Sequence, residues 1–394
     1  MMRRVDILGK IRKFITTCDL VLVGLVLLLS VFGVVLIGSI AQNAGPATAL
    51  QVRTAFNSQI VWLASGIFVL FAVSMVDYQL ICRFYVVFAV LSIVMLTVVL
   101  IMPPLVEDFP RRWLYIPGRS SPTLQPSEFA KVFMLIFFAK FAENFQDSIN
   151  RWWAIGIMLF TGAVPILLTV MQPSLAVSIL LTALLLVMLF MSGIRYKYII
   201  IGLLIITPLL LFFIYDIHRE EHLIVDQIFQ PFQLENRIKP FFGINVTPAN
   251  IHQAEMSVWA IGTGGFWGRG LFGNAIPVPL AHNDFIFAVI GAEFGFWGSV
   301  LTIAVIFAIV IKCFIIGFRA NSLAGRLLAA GIGAMIGIQA FVHIGVTTQL
   351  LPTTGIPLPF VSAGGSSMWI NLAAIGIVLN IGMKPERKTM FLEK

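Results

Sequence analysis

Ala281-His282-Asn283-Asp284-Phe285-Ile286-Phe287-Ala288-Val289-Ile290-Gly291-Ala292-Glu293 is a polar triplet ending in an aspartate that runs at once into apolar sequence. A long polar loop comes before it. The pattern predicts a membrane helix that carries a carboxylate in its first turn, at the water boundary, facing whatever the loop encloses. Aspartate is also a favoured helix N-cap, and its charge suits a helix N-terminus. The two roles are compatible, because a capping bond would also fix the carboxylate for chemistry.

The rest of the chain supplies the membrane. Of its 394 residues 59% are hydrophobic and 11% charged, where a soluble domain averages about 25% charged. This excludes a globular domain with a single anchor and predicts an all-α polytopic membrane protein forming one domain over 1–394. A spanning helix needs about 20 apolar residues. Such runs fall at roughly 20–41, 58–76 and 84–103, then from Pro126-Ser127-Glu128, with proline suited to a first turn. The uncharged span between Arg151 and Arg195 is too long for one helix, and Gln172-Pro173 divides it in two. Further runs start near 198, Asp284, Arg326 and Ser367, giving ten expected helices.

The net charge of +8 is explained by orientation, not by nucleic acid. With the N-terminus cytoplasmic, Arg83, Arg151, Arg195, Lys197, Arg319, Arg326 and the basic tail all fall on that side. Both termini are then inside, and the 216–283 loop and Asp284 are outside. Cys18, Cys82 and Cys313 lie in or beside apolar runs and suggest neither a disulfide framework nor a metal site. The glycine-rich Gly262-Thr263-Gly264-Gly265-Phe266-Trp267-Gly268-Arg269-Gly270 is a weak nucleotide signal, since no strand precedes it.

Ionisable groups inside spans cost roughly 2.5–3.5 kcal/mol each and are functional candidates for that reason. Glu128 and Lys131 lie three apart on one helix face. They read either as a mutual ion pair or as an anion site with Lys131 facing a polar cavity. Glu293, about 13 Å into its helix, points away from Asp284 and reads as a buried structural contact. His343 reads as a core histidine. Arg111, Arg112, Arg119, Arg237, Lys239 and Arg269 run against the positive-inside trend and would suit a lipid-linked phosphate.

These residues resemble the SEDS family (shape, elongation, division and sporulation), which includes RodA, FtsW and SpoVE. The motifs are Arg112-Trp113 with 125–131; 260–265 with Gly268 and Gly270; 282–288; and Pro352 to Pro359 continuing through Ser362, Gly364 and Gly365. They cover nearly the whole chain in the family's order. The resemblance implies a peptidoglycan glycosyltransferase that polymerises lipid II at the outer face of the bacterial cytoplasmic membrane. Its partners would be lipid II, the nascent lipid-linked glycan, a class B penicillin-binding protein and other divisome or elongasome membrane proteins.

The family's catalytic aspartate falls on Asp284. Lys131, Glu128, Arg112, Gln125 and Arg269 fall on substrate or diphosphate contacts, and Glu293, His343, Ser362, Gly364 and Gly365 on cavity or structural positions. No soluble cofactor is implied, although a divalent cation (magnesium or manganese) would serve as well as Lys131 and Arg112 to offset the leaving group's charge. The chain departs from the family's usual residues at Ser174, Ala176, Ala292, His343 and Ala363. A lipid II flippase and a non-catalytic scaffold for the crosslinking enzyme are the competing classes.

Overall fold

The computed structural model describes residues 17–43, 45, 48–102, 112–114, 124–172, 174–198, 200–202, 204, 248–273, 278–353 and 355–384. Both terminal segments, most of the expected helix at 198–215, and Arg111, Arg119, Arg237 and Lys239 lie outside them. The helices are α1 (Leu20–Asn43), α2 (Ala49–Met75), α3 (Tyr78–Arg83), α4 (Tyr85–Ile101), α5 (Pro126–Asn144), α6 (Trp152–Met171), α7 (Leu175–Met191), α8 (Pro248–Gly264), α9 (Ile286–Arg319), α10 (Leu323–Thr347) and α11 (Gly365–Met383).

Six of them, α1, α2, α6, α9, α10 and α11, are long and apolar enough to cross a membrane. Ten such helices were expected. α5 falls outside the six because it carries Glu128, Lys131, Lys140 and Glu143. α4 and α7 are 17 residues each, or about 25 Å. The 216–283 stretch, read from sequence as loop, contains α8.

Burial sorts the helices into a centre and a rim. In α10 and α11 the apolar stretch is 78% buried, but in α2 and α6 only 28%. α5 is buried on nearly every face, from Pro126 to Ala142. It packs against α4 and α10, while α11 lies along α2. The rim helices present Val61, Phe68, Phe160 and Leu167 outward. Exposed apolar surface on this scale fits lipid, not water.

Side-chain caps and ion pairs tie the helix ends. Asp77 accepts from Gln79 N at the start of α3 and pairs with Lys384. Tyr78 N donates to Asn380 Oδ1, and the Tyr78 hydroxyl meets Ser322 Oγ, which caps α10. Asp19 at the start of α1 pairs with Lys312 of α9 at 2.9 Å. Cys18, Cys82 and Cys313 are unpaired and buried.

α9 positions the site, and it is not one straight helix. At 34 residues it would be about 51 Å long, against a hydrocarbon core of about 30 Å. The excess is removed by a break at Gly295, with φ 65° and ψ −157°. The 24 residues of 296–319 reach about 36 Å and span alone. The nine residues of 286–294 form a separate, buried helix. Glu293 therefore sits beside a joint, and the depth expected for it in a continuous span does not apply.

The glycine-rich turn after α8 locks this joint. Phe296 N donates to Gly265 O, Arg269 N to Ala292 O and Gly270 N to Glu293 O. A Cβ on Gly264 would strike Gly291 O, and one on Gly268 would strike Glu293 O. The glycines here permit close backbone approach. Gly295→Ala should cost roughly 1–3 kcal/mol, since its backbone region is open only to glycine and the new methyl would lie 2.8 Å from Gly265 O. A thermal unfolding midpoint equal to wild type would show that the break is unnecessary.

Candidate functional site: a carboxylate turn clamped to a proline-rich loop

Residues 351–364 cannot make regular structure, because prolines at 352, 357 and 359 lack N–H donors. Side chains organise them instead. Ser362 Oγ accepts from Leu358 N at 2.8 Å and donates to Asn283 O at 2.7 Å. Ala363 N donates to His282 O at 2.8 Å. The loop is thereby sewn to the turn at 281–285, just before α9.

Asp284 is half-buried in that turn. Its backbone N–H donates to Leu280 O. It is not the helix cap expected from sequence: the N-cap of α9 is Phe285, and no side chain caps that end. The carboxylate instead faces the loop. A Cβ on Gly355 would lie 3.3 Å from Asp284 Oδ2, and Gly355 has φ +71°. Glycine is thus required there twice, for conformation and for closeness. His282, two residues before Asp284, is buried, and desolvation lowers its pKa below the ordinary 6.5.

Beneath the loop, α10 offers two side chains one turn apart. Gln339 Nε2 donates to Pro357 O at 2.9 Å, and His343 Nδ1 meets Ile356 O at 2.7 Å. A carbonyl can only accept, so Nδ1 carries the proton. His343 is 1% exposed, a core placement, but its Nε2 is buried with no hydrogen-bond partner among the described residues.

Gln339 continues into α5, where Lys131 Nζ donates to Gln339 Oε1 at 3.0 Å. Its other donors go to Glu128 Oε1 and Oε2 at 3.0 and 2.9 Å. An ammonium has three N–H groups, and all three are used within the protein. Lys131 is 0% exposed and Glu128 2%.

The other sequence candidates lie around this centre. Gln125 N donates to Ser366 Oγ at 3.0 Å, joining the start of α5 to that of α11. Gly364 N donates to Gln59 Oε1 at 3.0 Å, and Gly365 packs against Trp62. Arg112 is partly buried, with Nε donating to Gln172 O at the α6–α7 break. Arg269 is exposed and donates to Thr263 O. It belongs to the glycine turn, at the opposite end of the 286–294 helix from Asp284. Glu293 accepts from Ser39 Oγ, a buried contact of the kind expected. Among the described residues no three of His, Cys, Asp and Glu gather as a metal site.

Gln59 and Gln339 were not among the sequence candidates, because neither is ionisable. For Gln339 an amide inside an apolar run was the available signal.

A many-helix membrane protein that presents one half-buried carboxylate between two clamped loops is the class defined by this fold and site. A family model for FtsW, RodA and SpoVE, described as a cell cycle protein, matches residues 19–387, and the chain belongs to that family. Among its relatives, the probable peptidoglycan glycosyltransferase FtsW of Trichlorobacter lovleyi is 33% identical, with 92% of each chain covered. Stage V sporulation protein E of Bacillus subtilis is 30% identical, covering 93% of this chain and 97% of the relative. The fold matches a chain solved in work on the structural coordination of polymerization and crosslinking by a peptidoglycan synthase complex. That match has a TM-score of 0.74 at 24% identity, over 93% of this chain and 97% of the other. The rod shape determining protein RodA of Thermus thermophilus aligns with a TM-score of 0.66 at 24% identity, over 93% and 96%.

Proposed function

We propose that the chain is a peptidoglycan glycosyltransferase that polymerises lipid II at the outer face of the bacterial cytoplasmic membrane, with Asp284 as general base. The carrying observation is the placement of Asp284. It is half-buried, its turn is fixed by Ser362 and Ala363, and its carboxylate faces the 355–364 loop. The probable glycosyltransferase activity named for the FtsW relatives supports the same reading.

The acceptor sugar hydroxyl attacks the anomeric carbon of the donor. As the new C–O bond forms, its proton passes to Asp284. The bond from the anomeric carbon to the diphosphate breaks, and the lipid diphosphate leaves with the electron pair. One displacement inverts that carbon. In this reading Arg112, whose Nε donates to Gln172 O at the α6–α7 break, offsets the leaving charge. A divalent cation fits only if substrate phosphates complete its shell around Asp284, as magnesium sites commonly allow. Both termini are cytoplasmic in this reading, and a class B penicillin-binding protein crosslinks the product.

The test is lipid II polymerisation by the purified chain with its class B partner bound, with products sized on a gel. Long glycan strands are expected. No product from the intact complex would sink the assignment and favour transport or scaffolding.

A further inference from the structure

Gln59 of α2 is 1% exposed and Gln339 of α10 is 0% exposed. Both halves of each amide are bonded, and each amide has at least one bond to the 355–364 loop. Gln59 Oε1 accepts from Gly364 N at 3.0 Å, while its Nε2 approaches Ser362 O at 3.4 Å. Gln339 Oε1 accepts from Lys131 Nζ, while its Nε2 donates to Pro357 O. The orientation of the Gln339 amide is unambiguous, because an ammonium only donates and a carbonyl only accepts. A glutamine satisfies both partners at once, where a carboxylate, a lysine or an apolar side chain would leave one unmet.

The two amides grip the loop at opposite ends. Gln339 holds Pro357, two residues from the Gly355 that abuts Asp284 Oδ2. Gln59 holds 362–364, whose Ser362 and Ala363 bond the carbonyls of Asn283 and His282. Behind Gln339 stands Lys131, itself fixed by Glu128.

We propose that Gln59 and Gln339 are positioning residues for Asp284: they fix the 355–364 loop, and the loop fixes the aspartate. The Glu128–Lys131 pair then acts through Gln339 and not on substrate. The proposal deepens the function above and rests on Asp284 being the base.

Gln59→Glu and Gln339→Glu test it. Each keeps the acceptor half and turns the donor half against a carbonyl, while Gly364 or Lys131 retains its partner. Two readouts are taken on the full-length protein: amide hydrogen exchange across 355–383, and kcat with KM for lipid II. Exchange at Ser362 and Ala363 should quicken about tenfold in either variant, with α11 protected as in wild type. Turnover should fall by about 10–100-fold, since a misplacement of about 1 Å can cost about 100-fold, while KM stays within about twofold. Asp284→Asn should keep wild-type exchange. Wild-type exchange in both glutamine variants would overturn the proposal. So would a raised KM at unchanged kcat, which would put the amides on substrate, or lost protection across α11, which would mean a general packing defect. If wild type makes no glycan, the proposed function fails, and exchange alone decides the positioning.

Discussion

Asp284→Asn should lower lipid II polymerisation by a factor of about 10²–10⁴, the usual contribution of a positioned general base, and leave the fold intact. Asparagine has almost the same shape, so it fits beside Gly355, but its amide cannot take the hydroxyl proton. The fold should tolerate the change for a specific reason. Even a capping role would survive the change, since asparagine caps a helix as well as aspartate does. The cap position is Phe285 instead, and the 281–285 turn is held through the backbone of Leu280, His282 and Asn283. The check is glycan yield together with the thermal unfolding midpoint. Strands from the variant at the wild-type rate would move the base elsewhere. Lost activity with a lowered midpoint would make Asp284 a structural residue.

Lys131→Met should be the most destabilising single change, at about 3–5 kcal/mol, the range for leaving one charge of a buried pair unmatched. The argument is geometric. Glu128 is 2% exposed and would be left with no cation against it, and Gln339 Oε1 would lose its donor. The double variant Glu128→Gln with Lys131→Met removes both charges and should recover much of the loss. Thermal unfolding of the two variants in detergent decides the matter. A single variant with a wild-type midpoint and a raised KM for lipid II would place Lys131 on the diphosphate after all.

The helix boundaries legible in sequence were those marked by backbone chemistry. Pro126 opens α5 in the first turn, where proline fits, and α6 ends at Met171, next to Gln172, although it carries Pro165 in its interior. The break at Gly295 was not legible. In a membrane helix an isolated glycine is ordinary, and what makes this one a joint is the distant turn at 265–270 packed against it. For the same reason the glycine-rich stretch read as a faint nucleotide signal, when its glycines admit the backbone of 291–294. The motifs pointed to Asp284 and to the 352–365 loop separately. Their joining through Ser362, and the support of that loop by Gln59 and Gln339, is long-range information that no local pattern carries.

The 286–294 helix is a stiff rod about 13 Å long, joined to the spanning helix at Gly295 and carrying Asp284 just past its other end. Both ends are held, one by the 265–270 turn and the other by Ser362 and Ala363. A tilt of about 10° at the joint sweeps the far end through about 2 Å by the same length. That exceeds the displacement of about 1 Å at which catalytic geometry is lost. The bonds from Phe296, Arg269 and Gly270 at the joint, and from Ser362 and Ala363 at the tip, are what hold the rod against such a tilt.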